Sequence, residues 1–403
     1  MNKKHILYIT YDGLTDFLGQ SQVLPYIMGL EKEGYRFSIL SYEKDQKFPS
    51  ERKVVDDLIA GLDITWYPKK YHKRFSILAT IWDVFVGILF LYKLKSKDRF
   101  DGVHCRSYIS AMIGLYSKKI FKTKFIFDMR GFWADERVDG GLWNLKNPIF
   151  RLVYMTFKWL EKKYLTEADG IVSLTYNGAE EIKSWEYISS NINMHIIPCC
   201  ADLNLFNSRS VNESITQKLG IQNKTVLSYL GSIGTWYMIE DMMDFYLEFR
   251  NCVLNPVFLF ITGESRETIL TYSRAKGISD EEIVSVKAKR NEVPSYISLS
   301  KYSVFFIMPS YSKKSSSPTK MAEILAMGIP IITNNKVGDI DIYIETNNVG
   351  AVIKDFNPAE YKRALNIVMN GVSSNPCIEL AMNEFSLKQG VLKYLALYKS
   401  INL

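Results

Sequence analysis

The run Ser315-Ser316-Ser317-Pro318-Thr319-Lys320-Met321-Ala322-Glu323-Ile324-Leu325-Ala326-Met327-Gly328-Ile329-Pro330 places a lysine and a glutamate three residues apart, just after residues suited to starting a helix. Ser317 is a good N-cap and Pro318 a good first helical residue, so the spacing predicts a helix over 318–327 whose first amides are open. A cation beside a helix N-terminus suits a diphosphate, and a carboxylate one turn on suits ribose hydroxyls. The alternative for Lys320 and Glu323 is a solvated ion pair on a well-capped helix.

Three further segments carry chemistry-bearing residues. Tyr229-Leu230-Gly231-Ser232-Ile233-Gly234-Thr235-Trp236-Tyr237 follows an apolar run, and its glycines permit close backbone approach to a ligand while the Ser232 and Thr235 hydroxyls can donate to phosphate oxygens. Asp128-Met129-Arg130-Gly131-Phe132-Trp133-Ala134-Asp135-Glu136-Arg137 is densely charged where a core strand should give way to a loop. There Arg130 can clamp a phosphate or carboxylate, and Asp128 or Asp135 can accept a proton or a sugar hydroxyl; the alternative is an internal salt-bridge network. Arg106, directly after the run Val103–Cys105, is expected at the same place. The loop Tyr11–Gly19, followed by a helix from Gln20, sets glycine beside a helix N-terminus but is not GxGxxG, so an anion site and an ordinary turn are both open.

The elements that must position these residues alternate between strand and helix patterns, the sequence form of layered parallel α/β structure. Strands are expected at 5–10, 35–41, 102–105, 124–128, 169–174 and 194–198, with helices at 20–32, 110–121, 150–168 and from 177. A polar linker is expected over 201–224. A second series then follows, with strands at 225–230, 256–262, 283–286, 303–308 and 329–333 and helices at 240–250, 265–276, 293–299 and 318–327. Residues 385–401 read as an amphipathic helix. In such sheets ligands bind beyond the carboxyl ends of the strands, where the four segments fall.

Length and composition agree with this division. The 403 residues, 47% apolar and 13% aromatic, support two cores and exclude a disordered or collagenous chain. Fifty Lys and Arg against 43 Asp and Glu leave +7, too dilute for a nucleic-acid binder and better suited to anionic surfaces or phosphorylated ligands. Five cysteines and four histidines show no metal-like spacing, so buried thiols in a reducing compartment are expected and no metal site is assigned. The stretch 75–94 is long enough to span a bilayer, but Asp83 near its centre favours a buried or membrane-resting helix; Lys69, Lys70, Lys73, Arg74, Lys93, Lys95, Lys97 and Arg99 would then meet anionic lipid, the alternative being a core helix whose basic ends are merely solvated.

Taken together in order, the Gly19 loop, Ala168–Thr175, Pro198–Phe206, Tyr229-Leu230-Gly231, Phe260-Ile261-Thr262-Gly263-Glu264 and Ser317–Pro330 resemble the family-four retaining glycosyltransferases over nearly the whole chain. The resemblance implies an α/β fold of GT-B type, two facing Rossmann-like domains with parallel sheets and a deep cleft. Residues 1–200 would bind the acceptor, 201–382 the nucleotide sugar, and 383–403 would form a helix crossing back to the first domain. It implies transfer of a sugar, with retention, from a nucleotide-diphosphate donor to a glycan or polyprenyl-linked acceptor, with no cofactor or metal and uridine the expected base. Donor contacts would come from Gly19, Gly231, Ser232, Gly263, Glu264, Ser317, Thr319, Lys320 and Glu323. Acceptor contacts would come from Gln20, Arg106 and Trp133, and Asp128, Arg130 and Lys320 would take part in catalysis. The chain departs from the family pattern at Ser315, which stands where the first glutamate of an E-x7-E pair would be, and in the Gly231 loop, which offers Trp236 and Tyr237 instead of Arg and Lys. Lys320 and Arg130 are the expected replacements for that charge. A cytoplasmic location, at the inner face of a membrane and in polysaccharide synthesis, fits these features. The competing readings are a nucleotide-sugar epimerase and a catalytically inactive nucleotide-sugar-binding scaffold.

Overall fold

Short runs rich in Ile, Val and Phe alternate with amphipathic stretches, and in the computed structural model, which describes residues 3–45, 48–72, 76–207 and 213–403, they form two parallel sheets flanked by helices. The chain divides into one unit of Met1–Pro198 with Leu387–Leu403 and a second of Cys199–Ser386.

The first unit runs β1 (Lys4–Thr10), α1 (Phe17–Gln22), α2 (Leu24–Lys32), β2 (Tyr35–Glu43), α3 (Phe48–Ile59), β3 (Ile64–Lys70), α4 (Ser76–Lys97), β4 (Gly102–Arg106), α5 (Ser107–Phe121), β5 (Lys124–Asp128), α6 (Trp133–Asp139), α7 (Pro148–Glu167), β6 (Gly170–Ser173), α8 (Tyr176–Lys183) and β7 (Met194–Ile196). Its sheet has the order β3-β2-β1-β4-β5-β6-β7, every pairing parallel. Leu7, Ile9, Val103, Cys105, Phe125 and Phe127 on the central strands are fully buried, as strands covered on both faces require.

The expected helix over 20–32 is instead two. The backbone breaks at Val23 (φ −124°, ψ −67°), because Pro25 has no N–H to give to a continuing helix and is accommodated in the first turn of a new one. Gly19 and Gln20 consequently lie inside α1, not in the loop before it. A Cβ on Gly19 would fall 2.2 Å from the Gly13 carbonyl oxygen, so glycine here lets α1 press on the loop backbone. The strand β3 escapes sequence reading because it is an edge strand, half-buried and interrupted by Pro68. The region read as a loop at 128–137 contains α6. The apolar stretch 75–94 forms α4, long and apolar enough by length and composition to cross a membrane, with 39% of its most apolar window buried. Lys73, Arg74 and Phe75 lie outside the described residues.

The second unit contains α9 (Glu213–Leu219), β8 (Thr225–Leu230), α10 (Ile239–Cys252), β9 (Pro256–Ile261), α11 (Arg266–Ala275), β10 (Ile283–Val286), α12 (Val293–Ile297), β11 (Tyr302–Val304), α13 (Thr319–Ala326), β12 (Ile331–Asn334), α14 (Ile340–Thr346), β13 (Gly350–Ile353), α15 (Pro358–Gly371) and α16 (Ser374–Glu384). Its sheet order, β10-β9-β8-β11-β12-β13, repeats the doubly wound pattern of the first. The stretch read as a linker belongs to this unit: Ala201, Phe206 and Ile221 are buried in its core, and Ala201 donates to the Phe385 carbonyl at 2.8 Å. Residues 208–212 of that stretch lie outside the described residues. The strand expected over 303–308 keeps regular pairing only to Val304. Beyond it the Asn334 side chain takes over, accepting from Ile307 N at 2.8 Å and donating to Ile307 O at 2.9 Å.

The last helix, α17 (Leu387–Ser400), belongs to the first unit and packs against α2, β6 and β7.

Candidate functional site

Reversal of strand order between β8 and β11 leaves a crevice at their carboxyl ends, and the second unit places its charged residues there. Lys320, in the first turn of α13, is buried, with Nζ 3.7 Å from the Tyr237 ring centre, 4.5 Å from that of Tyr229 and 5.8 Å from that of Phe305. Its Nζ also donates to the Tyr229 hydroxyl at 3.4 Å. Gly231 turns at φ +125°, and a Cβ there would stand 2.6 Å from Lys320 Nζ. The close approach expected of this glycine is therefore to a lysine as well as to solvent. Burial pushes Lys320 down to about 7, with Glu323 opposing the shift.

Glu323, one turn on, is buried and accepts from Arg290 Nη1 at 3.0 Å. Burial raises its carboxyl above the usual range while Arg290 and Lys320 pull it back. The solvated ion pair considered for Lys320 and Glu323 is thus not what forms: both are inside, one on aromatic rings and the other on an arginine. Arg290 was not singled out in the sequence, although it closes the basic run Lys287-Ala288-Lys289-Arg290 after β10. Lys313 was missed as well. It is buried with Nζ 3.7 Å from the Trp236 ring centre, so the two aromatics of the Gly231 loop each carry a lysine.

The remaining donor-side residues divide. Ser232 is exposed after β8, and Gly263 and Glu264 are exposed after β9, with open space around Gly263. Thr319 opens α13. Ser317 is not the N-cap: that position falls to Pro318, and the Ser317 hydroxyl instead accepts from Cys199 N at 3.1 Å. Ser315 donates to the Ser312 carbonyl at 2.9 Å. Gly19, being inside α1 of the first unit and pressed on Gly13 and Leu14, offers no loop amide of its own.

In the first unit the corresponding crevice lies between β1 and β4. Three non-standard turns follow the strand ends there, Ser107 (φ +70°), Arg130 (φ +56°) and Gly131 (φ +114°). A left-handed conformation is costly for a side-chain-bearing residue and clusters at functional sites. Asp128 ends β5 fully buried, accepting from the Tyr394 hydroxyl of α17 at 2.8 Å and from His104 Nε2 at 3.4 Å, while Arg130 Nη1 stands 3.8 Å away. His104 Nδ1 in turn accepts from the Tyr398 hydroxyl at 2.8 Å. Burial pushes Asp128 up, but Arg130, the His104 hydrogen bond and Arg106 together hold it at about 2. Burial is also the main cause lowering His104. This is the internal network that the sequence left as an alternative, and it ties α17 to β4 and β5.

Arg106 is buried with Nε 3.4 Å from Asp12 Oδ2. Gln20 donates to Glu51 at 3.2 Å. Trp133 packs with Tyr108, Trp143 and Phe157, and the Arg137 guanidinium lies 4.9 Å from its ring centre. Asp135 accepts from Tyr154 and Lys158 at 2.8 and 2.9 Å.

The family model for Glycosyl transferases group 1 matches residues 211–378, the span that carries Gly231, Arg290, Lys313, Lys320 and Glu323. A relative from Escherichia coli, UDP-Gal:alpha-D-GlcNAc-diphosphoundecaprenol alpha-1,3-galactosyltransferase, is 24% identical over 329 residues, 77% of this chain and 78% of its own. Among solved structures, sucrose-phosphate synthase from Thermosynechococcus elongatus superposes with a TM-score of 0.76 at 14% identity, covering 99% of each chain. HepE from Anabaena, solved with UDP and glucose, gives 0.69 at 11% identity over 97% of this chain and 99% of its own. Residues 211–378 form a glycosyl transferases group 1 domain, and the chain is a glycosyltransferase built on two parallel Rossmann-like sheets of the GT-B kind.

Proposed function

We propose that the chain transfers a sugar from a UDP-sugar, held by the second unit, to a lipid-linked glycan acceptor received by the first, with retention and without a metal, in polysaccharide synthesis. The observation that carries this is the gathering of Lys320, Lys313, Arg290 and Glu323 with Gly231 and Gly263 around the carboxyl ends of β8, β9, β10 and β11, within the group 1 domain. Lys320 and Lys313 would meet the diphosphate, and Glu323, steadied by Arg290, the ribose hydroxyls. As the bond between the anomeric carbon and the phosphate oxygen breaks, negative charge grows on the leaving diphosphate. Pre-placed ammonium groups in a low-dielectric setting stabilise that charge without reorganising. The relatives that support the donor and acceptor classes are the Escherichia coli enzyme, named for UDP-Gal and a diphosphoundecaprenol-linked sugar, and the Anabaena structure with UDP and glucose.

Arg106, Gln20 and Trp133 remain acceptor-side candidates of the first unit, and Asp128 and Arg130 candidates for catalysis. In this reading the cytoplasmic face of a membrane supplies the acceptor through α4. Its outer face exposes Leu78, Ile81, Trp82, Phe85 and Leu89, with Lys93, Lys95 and Lys97 towards its end. Asp83, on the opposite face, is held inside by Tyr11 and His72, which favours a helix resting on lipid over one crossing it.

The test is thermal unfolding of the full chain against UDP, GDP, CMP, ADP and NAD, repeated with Glu323→Ala and Glu323→Gln. A ligand at a hundred times Kd adds about 2.7 kcal/mol. Stabilisation by UDP, weakened in both variants, and acceptor-dependent UDP release support the proposal. UDP binding with no release under any acceptor would instead favour a binding scaffold, and no nucleotide effect would remove the donor site.

A further inference from the structure

The first unit contains a second polar constellation, away from the Asp128 network, in which Asp83, singled out in the sequence only as a charge within the apolar stretch, meets partners that the sequence did not announce. Asp83 lies on the inner face of α4, fully buried. Its carboxylate accepts from the Tyr11 hydroxyl at 2.7 Å, from His72 Nδ1 at 2.6 Å and from His72 N at 3.3 Å. The Tyr42 hydroxyl donates to the Asp83 carbonyl at 2.7 Å, so β2 holds the same turn of α4. Tyr11 follows β1, Tyr42 is near the end of β2 and His72 follows β3. The group therefore sits at the carboxyl ends of three neighbouring parallel strands, the ligand-facing edge of such a sheet.

The bonding around Asp83 fixes the histidine. A carboxylate accepts, so the ring nitrogen facing it, Nδ1, carries the hydrogen of that bond, and Nε2 is the ring nitrogen left for a ligand. The His72 side chain is 39% exposed while its Asp83 partner is fully enclosed, so the ring is anchored at one nitrogen and accessible beyond it. A histidine anchored in this way costs little further ordering when a hydroxyl donates to it. Around the Tyr11 partner of Asp83 pack the rings of Tyr42 and Tyr71, with centres 5.0 and 5.4 Å away, and Lys44 is paired to Asp16 at 2.6 Å.

We propose that His72, oriented by Asp83 and Tyr11, binds the acceptor: its Nε2 accepts a hydrogen bond from a sugar hydroxyl of the lipid-linked glycan. The inference rests on the transferase reading above and names the acceptor contact within it. The same helix that holds Asp83 inward turns Leu78, Ile81, Trp82 and Phe85 outward, so a glycan carried on a lipid resting against that face arrives beside His72.

The test uses the full chain with UDP-galactose and GlcNAc-diphosphoundecaprenol in detergent micelles. UDP release is followed with acceptor and, as background hydrolysis, without it. His72→Ala should raise the acceptor KM about tenfold or more, leaving donor KM, UDP-induced thermal stabilisation and background hydrolysis unchanged. Asp83→Asn should give the same acceptor defect, and Tyr11→Phe, which keeps the His72 contact, a smaller one. An unchanged acceptor KM in His72→Ala overturns the proposal. If the wild type binds UDP but releases none with this pair, the transferase reading for this acceptor fails and the inference falls with it. A His72→Ala defect confined to donor KM overturns the inference alone.

Discussion

If Lys320 meets the donor diphosphate, UDP binding must take up protons. With the side chain at about 7 in the empty site, about half of it is charged at pH 7 and about one-tenth at pH 8. A bound diphosphate favours the ammonium, so binding should draw in roughly 0.5 proton at pH 7 and roughly 0.9 at pH 8, and affinity should fall about tenfold between pH 8 and 9. The secondary ionisation of the phosphate, near pH 6, is complete across this range and adds little. Calorimetry in two buffers of different ionisation enthalpy measures the uptake directly. Lys320→Met should abolish the uptake and weaken UDP at pH 7. The gap between 10.5 and about 7 stands for roughly 5 kcal/mol against the buried ammonium when it is charged in both folded and unfolded chains. Between those values the unfolded chain holds more protons, so wild-type stability rises with pH across the window. Lys320→Met should therefore exceed the wild type in stability by at least about 1 kcal/mol at pH 6, with the margin narrowing towards pH 9. No proton uptake between pH 7 and 8, or a Lys320→Met protein less stable than wild type at pH 6, refutes the reasoning.

Lys313→Met should raise the Kd for UDP several-fold while leaving UMP binding less affected, since UMP lacks the second phosphate; titration of both nucleotides checks this. Asp128→Asn should remove an acid-sensitive part of stability: a carboxyl held at about 2 contributes above its ordinary 3.8 and loses the contribution as pH falls through about 2, roughly 2 kcal/mol in all, read as the difference between the two proteins' urea midpoints from pH 5 down to pH 2. Gly19→Ala should cost about 1–3 kcal/mol in urea unfolding, because the new methyl meets the Gly13 carbonyl and Leu14 Cα; a protein as stable as wild type would show that α1 has room to shift.

The central strands were legible because they are buried on both faces, although β13, as buried but only four residues long, was not expected. β5 and β8 stand at their expected bounds, residue for residue, as does the half-buried edge strand β10. The edge strand β3 was not, since an edge needs neither strong alternation nor a free N–H at Pro68. Within the candidate site, Lys320 and Glu323 declared themselves through helix-start chemistry and three-residue spacing. Arg290 and Lys313 did not, because what makes them relevant is distance: one reaches Glu323 across 33 positions and the other reaches the Trp236 ring across 77. The basic run ending at Arg290 was a signal available in the sequence, and its position directly after a strand would have raised it above an ordinary solvated face. Asp128 was legible as a strand-end carboxylate, but the partners that enclose it, Tyr394 and His104, come from α17 and β4, and no local pattern announces them.

The Gly231 loop carries no cation, unlike the pattern of the glycosyltransferases it resembles, and the structure gives that difference a physical meaning. Trp236 and Tyr237 present ring faces to Lys313 and Lys320, so the charge is held at the loop by aromatic quadrupoles rather than borne on it. Burial lowers the proton affinity of Lys320 on these rings, and Glu323 one turn on offsets only part of that shift. Gly231 completes the arrangement, because any side chain there would occupy the space of the Lys320 ammonium. Loop conformation, aromatic identity and lysine position thus act together, and under the proposed donor reading an ammonium near its midpoint at neutral pH would gain its full charge when a diphosphate binds.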